Sequence, residues 1–109
     1  GRKIALLGDM LELGDFSSDL HYSVGEHFGA MGVRLFTFGE SAERIADGAA
    51  KRLNSDMITR SRNTTDEDAA RVAALIAKEA SAGDCILIKA SRRIAAERVS
   101  AALTDILGK

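Results

Sequence analysis

The chain has 109 residues, 46% hydrophobic and 28% charged, with a formal net charge of −1 at pH 7, the make-up of one ordinary globular domain. It has no basic surplus, and its aromatic content is 5% with no Trp, so nucleic acid is not an expected partner. No apolar stretch approaches the roughly 20 residues of a membrane span, and no signal-peptide pattern opens the chain, so no membrane partner is expected either.

The first residue is Gly1, and an apolar run, Ile4-Ala5-Leu6-Leu7, begins almost at once. A chain that opens directly into a core strand is expected to be one domain of something longer. The run predicts a strand over about 2–8, buried on both faces. It stops at Gly8, and two carboxylates, Asp9 and Glu12, follow before any helical pattern starts. A helix is predicted from Ser18 to Met31, with Leu20, Val24, Phe28 and Met31 along one face and Gly32 at its stop. Val33 to Phe38 reads as a second strand ended by Gly39. Ser41 is placed to cap the next helix, where Ile45, Ala49 and Leu53 share a face.

Met57 to Arg60 reads as a short edge strand, and Ser61-Arg62-Asn63-Thr64 as a loop. Thr64 and Glu67 have capping-box spacing, and Asp66, Glu67 and Asp68 suit the positive end of a helix. That helix turns Val72, Leu75, Ile76 and Ala80 inward and ends near Gly83. Cys85 to Ile88 reads as a third strong strand, apolar throughout like a central parallel strand. Its cysteine is the only one in the chain, and reads as a small hydrophobe in a reducing compartment. A last helix is predicted from Arg93 to Leu107, with Val99, Ala102, Leu103 and Ile106 on its buried side.

Strands and helices alternate, so the fold class is α/β: a mainly parallel sheet with helices on both faces. Crossovers are right-handed, and if strand 2 pairs with strand 1 and strand 3 lies beyond strand 2, the order is 3-2-1-4, with strand 4 on the far side of strand 1. The chain reverses direction between those two strands. Ligands bind at such switch points, past the carboxyl ends of the strands. Two loops meet there, one over residues 9–17 and one over residues 89–94.

In the first loop, Asp9 and Glu12 are acceptors for an ammonium group, a basic side chain or a metal. Equally, they could satisfy loop amides or a nearby helix start. In the second, Lys89, Ser91, Arg92 and Arg93 gather cations and a hydroxyl beside a predicted helix start. Cations are unfavourable there unless an anion offsets them, which suggests a carboxylate or phosphate ligand. The alternative is a solvated Arg pair with Glu97 as its partner. His21 and His27 lie six residues apart, on different faces of the first helix, so they cannot form a metal pair. His21 is near enough to the helix start to reach the first loop. The chain lacks a phosphate loop, a Gly-x-Gly-x-x-Gly turn, a Cys-x-x-Cys pair, a His-Glu-x-x-His motif and a Gly-x-Ser-x-Gly elbow. No self-sufficient nucleotide-cleaving or hydrolytic site is therefore present.

Two blocks carry a resemblance. Leu7-Gly8-Asp9-Met10-Leu11-Glu12-Leu13-Gly14, followed by Ser17, His21 and Val24-Gly25, resembles the opening of the C-terminal domain of the Mur ligase family. Lys89-Ala90-Ser91-Arg92, with Glu97 and Val99, resembles that domain's second motif. Ala90 stands where the motif usually has Gly, and Ile94 and Ala96 stand where Met is typical. A Cβ at position 90 restricts how closely a ligand can approach the backbone. The wording is nearest to the branch that adds D-alanyl-D-alanine to UDP-N-acetylmuramoyl-tripeptide.

The resemblance implies a Rossmann-like three-layer α/β/α domain belonging to a three-domain cytoplasmic ligase of peptidoglycan synthesis. ATP and magnesium would be held mainly by the central domain, and no cofactor by this chain alone. Substrate would be met by Asp9, Met10, Glu12, Lys89, Ser91 and Arg92, and His21 would brace the first loop. No catalytic residue or metal ligand is implied within this domain. A synthetase of the folylpolyglutamate type and a stand-alone α/β binding module are the competing readings.

Overall fold

A computed structural model describes residues 2–10, 17–89 and 104. The elements are β1 (Lys3–Gly8), α1 (Ser17–Ala30), β2 (Arg34–Phe38), α2 (Glu43–Ala49), a 3-10 turn (Ser55–Met57), β3 (Ile58–Ser61), α3 (Asp66–Glu79) and β4 (Cys85–Lys89). All strand pairs are parallel and the sheet order is β3-β2-β1-β4, the order expected from the sequence. The predicted last helix lies outside the described residues apart from Thr104, which is helical.

The strand pleat divides the core into two layers. Ile4 and Leu6 of β1, with Phe36 and Phe38 of β2, face Ala69, Val72, Ala73 and Ile76 of α3. Ala5 and Leu7, with Leu35, face the side of α2 that carries Ile45 and Ala49. Thus β1 is buried on both faces, as its unbroken apolar run requires.

On the second layer, α1 and α2 cross at unusually close range because glycines meet backbone. A Cβ on Gly25 would overlap the carbonyl oxygen of Ile45, and one on Gly48 would overlap that of Tyr22. A Cβ on Gly29 would lie 3.0 Å from the carbonyl oxygen of Ala49. At the margin, the guanidinium of Arg44 lies 4.5 Å from the centre of the Tyr22 ring, and Lys51 pairs with Glu26 at 3.6 Å.

The amino-terminal rim of the sheet is held by a charge. Arg34, only 8% exposed, donates from Nε and Nη2 to the two carboxylate oxygens of Glu79, each at 2.8 Å. Its remaining donors reach Thr59 Oγ1 at 2.7 Å and the carbonyls of Leu35 and Met57 at 3.0 and 3.1 Å. The guanidinium also stacks 4.1 Å from the Phe36 ring centre. Every polar hydrogen direction is used, which is the condition for burying such a group. The Arg34 hydrogen bonds hold the Glu79 carboxyl below the ordinary glutamate value, overcoming the opposing effect of burial.

Three local expectations are corrected. The box that caps α3 is Thr65 with Asp68, one residue later than the predicted pair. The residue preceding α2 is Ala42, with no side-chain cap from Ser41. Strand β4 is also not buried like a central strand. It pairs with β1 alone among the described strands, and Cys85, Leu87 and Lys89 are exposed while Ile86 and Ile88 pack toward α3. Hydrophobicity marked the strand, but what packs on each side of it decides which faces are covered.

Two measurements test these packing arguments. Ala is a better helix former than Gly by about 1 kcal/mol, yet Gly25→Ala should destabilise by about 1–3 kcal/mol in urea unfolding, because its methyl group meets immobile backbone. Glu79→Gln should lose about 2 kcal/mol near neutrality. Because the folded carboxyl titrates below its unfolded value, this contribution is complete above about pH 4.3 and disappears as pH falls through the folded value. The stability gap between wild type and Glu79→Gln should therefore close on acidification.

Candidate functional site at the carboxyl rim

The carboxyl ends of β1 and β4 lie side by side, with Leu7 opposite Lys89 in register. The chain leaves β1 through α1 on one face of the sheet and reaches β4 through α3 on the other. This is the switch point at which open α/β sheets bind ligands. Asp9 and Met10 stand at the exit of β1, and Lys89 is the exposed last residue of β4. Glu12, Ser91 and Arg92 lie outside the described residues.

Asp9 is 6% exposed and its carboxylate has a structural partner. Its Oδ1 accepts the Ala42 N–H at 2.6 Å, so a residue just past β1 satisfies the amide at the entry to α2. The carboxylate lies against Gly39, whose φ is 123°. A side chain at position 39 would be strained by that φ and would run into the carboxylate. Gly39 N–H in turn donates to the Ser61 carbonyl at 2.7 Å. The ends of β1, β2 and β3 are thus tied together around Asp9.

His21 has no exposed surface. Its Nε2 accepts the Met10 N–H at 2.9 Å, and its Nδ1 lies 2.6 Å from the Ser17 carbonyl oxygen and 3.1 Å from Ser17 Oγ. The Ser17 and His21 side chains have the spacing of a nucleophile–base pair, but the ring is fully committed. Neither nitrogen is open to receive a proton from the hydroxyl, so the pair cannot work as an activated nucleophile.

A feature missed by sequence reasoning flanks Asp9 on the side away from β4. An open cleft of about 400 Å³ is lined by Asp9, Glu40, Arg62, Asn63, Thr64 and Thr65. Arg62 donates to Glu40 at 2.8 Å. The Thr65–Asp68 box occupies the start of α3 and, through the Thr65 hydroxyl bond, holds the Asp68 carboxyl below its ordinary value. Carboxylate, guanidinium, amide and hydroxyl groups equip this cleft to orient a polar ligand. Its signal in the sequence was the position of Gly39-Glu40 and Arg62-Asn63 just past two strand ends. Among the described residues, no group of three or more His, Cys, Asp or Glu side chains converges to hold a metal, and no helix is long and apolar enough to cross a membrane.

The model of the Mur ligase, glutamate ligase domain, matches residues 1–92. The UDP-N-acetylmuramoyl-tripeptide–D-alanyl-D-alanine ligase of Bacillus subtilis (strain 168) is 37% identical over 100 residues, covering 91% of this chain and 21% of that protein. The structure of MurF ligase from Thermotoga maritima in complex with ADP aligns with a TM-score of 0.77 and 29% identity, covering 99% of this chain and 23% of the other. A MurF structure from Acinetobacter baumannii gives 0.75 and 25%, covering 96% and 22%. The chain thus spans about a fifth of the length of these relatives.

The Asp9 bond can be tested apart from any ligand. Asp9→Ala leaves the Ala42 amide without its acceptor and should cost about 1–3 kcal/mol in denaturant unfolding. Asp9→Asn keeps an oxygen in place and should cost less than half as much. Equal losses in the two variants would mean that the charge, and not the hydrogen bond, fixes this corner.

Proposed function

The chain belongs to the Mur ligase family, and on that footing we propose that it is the C-terminal, amino-substrate-binding domain of an ATP-dependent ligase. That ligase joins D-alanyl-D-alanine to UDP-N-acetylmuramoyl-tripeptide in peptidoglycan synthesis. The reading is carried by the family match together with the pairing of β1 and β4, whose described ends, Asp9–Met10 and Lys89, belong to the two motifs. The 37% identity to the Bacillus subtilis ligase favours this substrate pair over the glutamyl-adding alternative. The setting is cytoplasmic, where the nucleotide-linked precursor is made.

In this reading, the terminal carboxylate of the tripeptide is converted to an acyl phosphate. The free amine of D-alanyl-D-alanine attacks it, forming the amide and releasing phosphate. This chain's part is to bind and orient the dipeptide. Lys89, Ser91 and Arg92 supply the positive field and donors for its carboxylate. Asp9, Met10 and Glu12 line the acidic side, toward the amine or the closing central domain. The sequence carries no phosphate loop, so it offers no nucleotide cradle of that kind. ATP and magnesium are assigned to the central domain of the longer protein. The domain by itself is not catalytic.

Arg92→Ala in the full-length ligase tests the assignment. Losing one charge-assisted hydrogen bond, about 1.5–3 kcal/mol, should raise the KM for D-alanyl-D-alanine about ten- to a hundredfold. The KM for ATP should stay nearly constant. A change confined to ATP removes Arg92 from the dipeptide site.

A further inference from the structure

His21 joins two backbone groups on opposite sides of the β1–α1 connection. A backbone N–H can only donate, so the bond from Met10 N requires an unprotonated Nε2. The carbonyl oxygen of Ser17 can only accept, so its 2.6 Å contact requires a proton on Nδ1. One neutral tautomer meets both demands. An imidazolium, or the tautomer protonated at Nε2, would set two donors against each other at Met10.

We propose that His21 is a positioning residue for the amino-substrate site, acting as an Nδ1–H strut between Met10 and Ser17. Met10 directly follows Asp9, whose carboxylate is seated on Ala42 and Gly39. Rotation of the Asp9–Met10 peptide would swing that carboxylate off its seat. The Met10 N–H bond to a fully buried ring on α1 opposes this rotation. His21 therefore acts through backbone and need not touch substrate. A leucine of similar volume could fill the space, but it could not hold a donor and an acceptor at the two ends of one rigid ring.

This inference rests on reading the rim as the amino-substrate site, so its test separates the two ideas. In the full-length ligase, His21→Leu removes both ring bonds, whereas His21→Gln can place an accepting oxygen near the position of Nε2. His21→Leu should raise the KM for D-alanyl-D-alanine by about tenfold, the equivalent of about 1.4 kcal/mol, with the KM for ATP within about twofold. His21→Gln should recover most of that loss. In the wild-type protein labelled with ¹⁵N-histidine, the His21 signals should show a protonated Nδ1 and a bare Nε2.

A protonated Nε2 at neutral pH would overturn the strut. So would a folded His21→Leu enzyme with an unchanged dipeptide KM, or one in which both KM values rise together. If the wild-type protein shows the expected nitrogen pattern but ligates no dipeptide, the substrate reading fails and the tautomer stands.

Discussion

The carboxylate of Asp9 sits where three strand ends and a helix start converge. One oxygen closes the amide of Ala42 at 2.6 Å, and the group as a whole is backed by a residue without a side chain, Gly39. A buried carboxylate is costly unless its lone pairs find donors. Here the donor is a helix-start amide that would otherwise be unsatisfied. The same contact gives a partner to both groups at the rim on which the candidate site stands.

The two rims of the sheet divide their tasks. At the amino rim, Arg34 spends every donor on the fold and clasps Glu79, joining the end of α3 to β2 and β3. At the carboxyl rim, the polar groups are less completely engaged. Lys89 is exposed, and the Glu40–Arg62 pair lies open on the cleft wall. This asymmetry agrees with the general rule that α/β sheets use their carboxyl ends for ligands.

Between the rims, the close α1–α2 crossing lets a seven-residue helix hold its place. A helix as short as α2 has little stability of its own, and so depends on tertiary contact. Gly25 and Gly48 allow backbone to approach backbone, which brings Ile45 and Ala49 down onto Ala5, Leu7 and Leu35. The start of α2 carries the Asp9 contact, so this packing also steadies the candidate site from below.

Much of the architecture was legible in the chain. Apolar runs named the strands, and pairing of successive strands with right-handed crossovers led to their order. The wording around Asp9 and Lys89 pointed to the family. These signals are local or follow from chain connectivity, so the sequence by itself determined them. The cap of α2, the exposure of Cys85 and Leu87, and the cleft made by Glu40 with Arg62 and Asn63 were decided only by the tertiary structure. Each depends on groups far apart in sequence: Ala42 takes its partner 33 residues away, and β4 exposes Cys85 and Leu87 because, among the described residues, α3 packs on the side of Ile86 and Ile88. Periodicity records what a residue prefers to bury, whereas the partner it meets is fixed by where the chain returns in space.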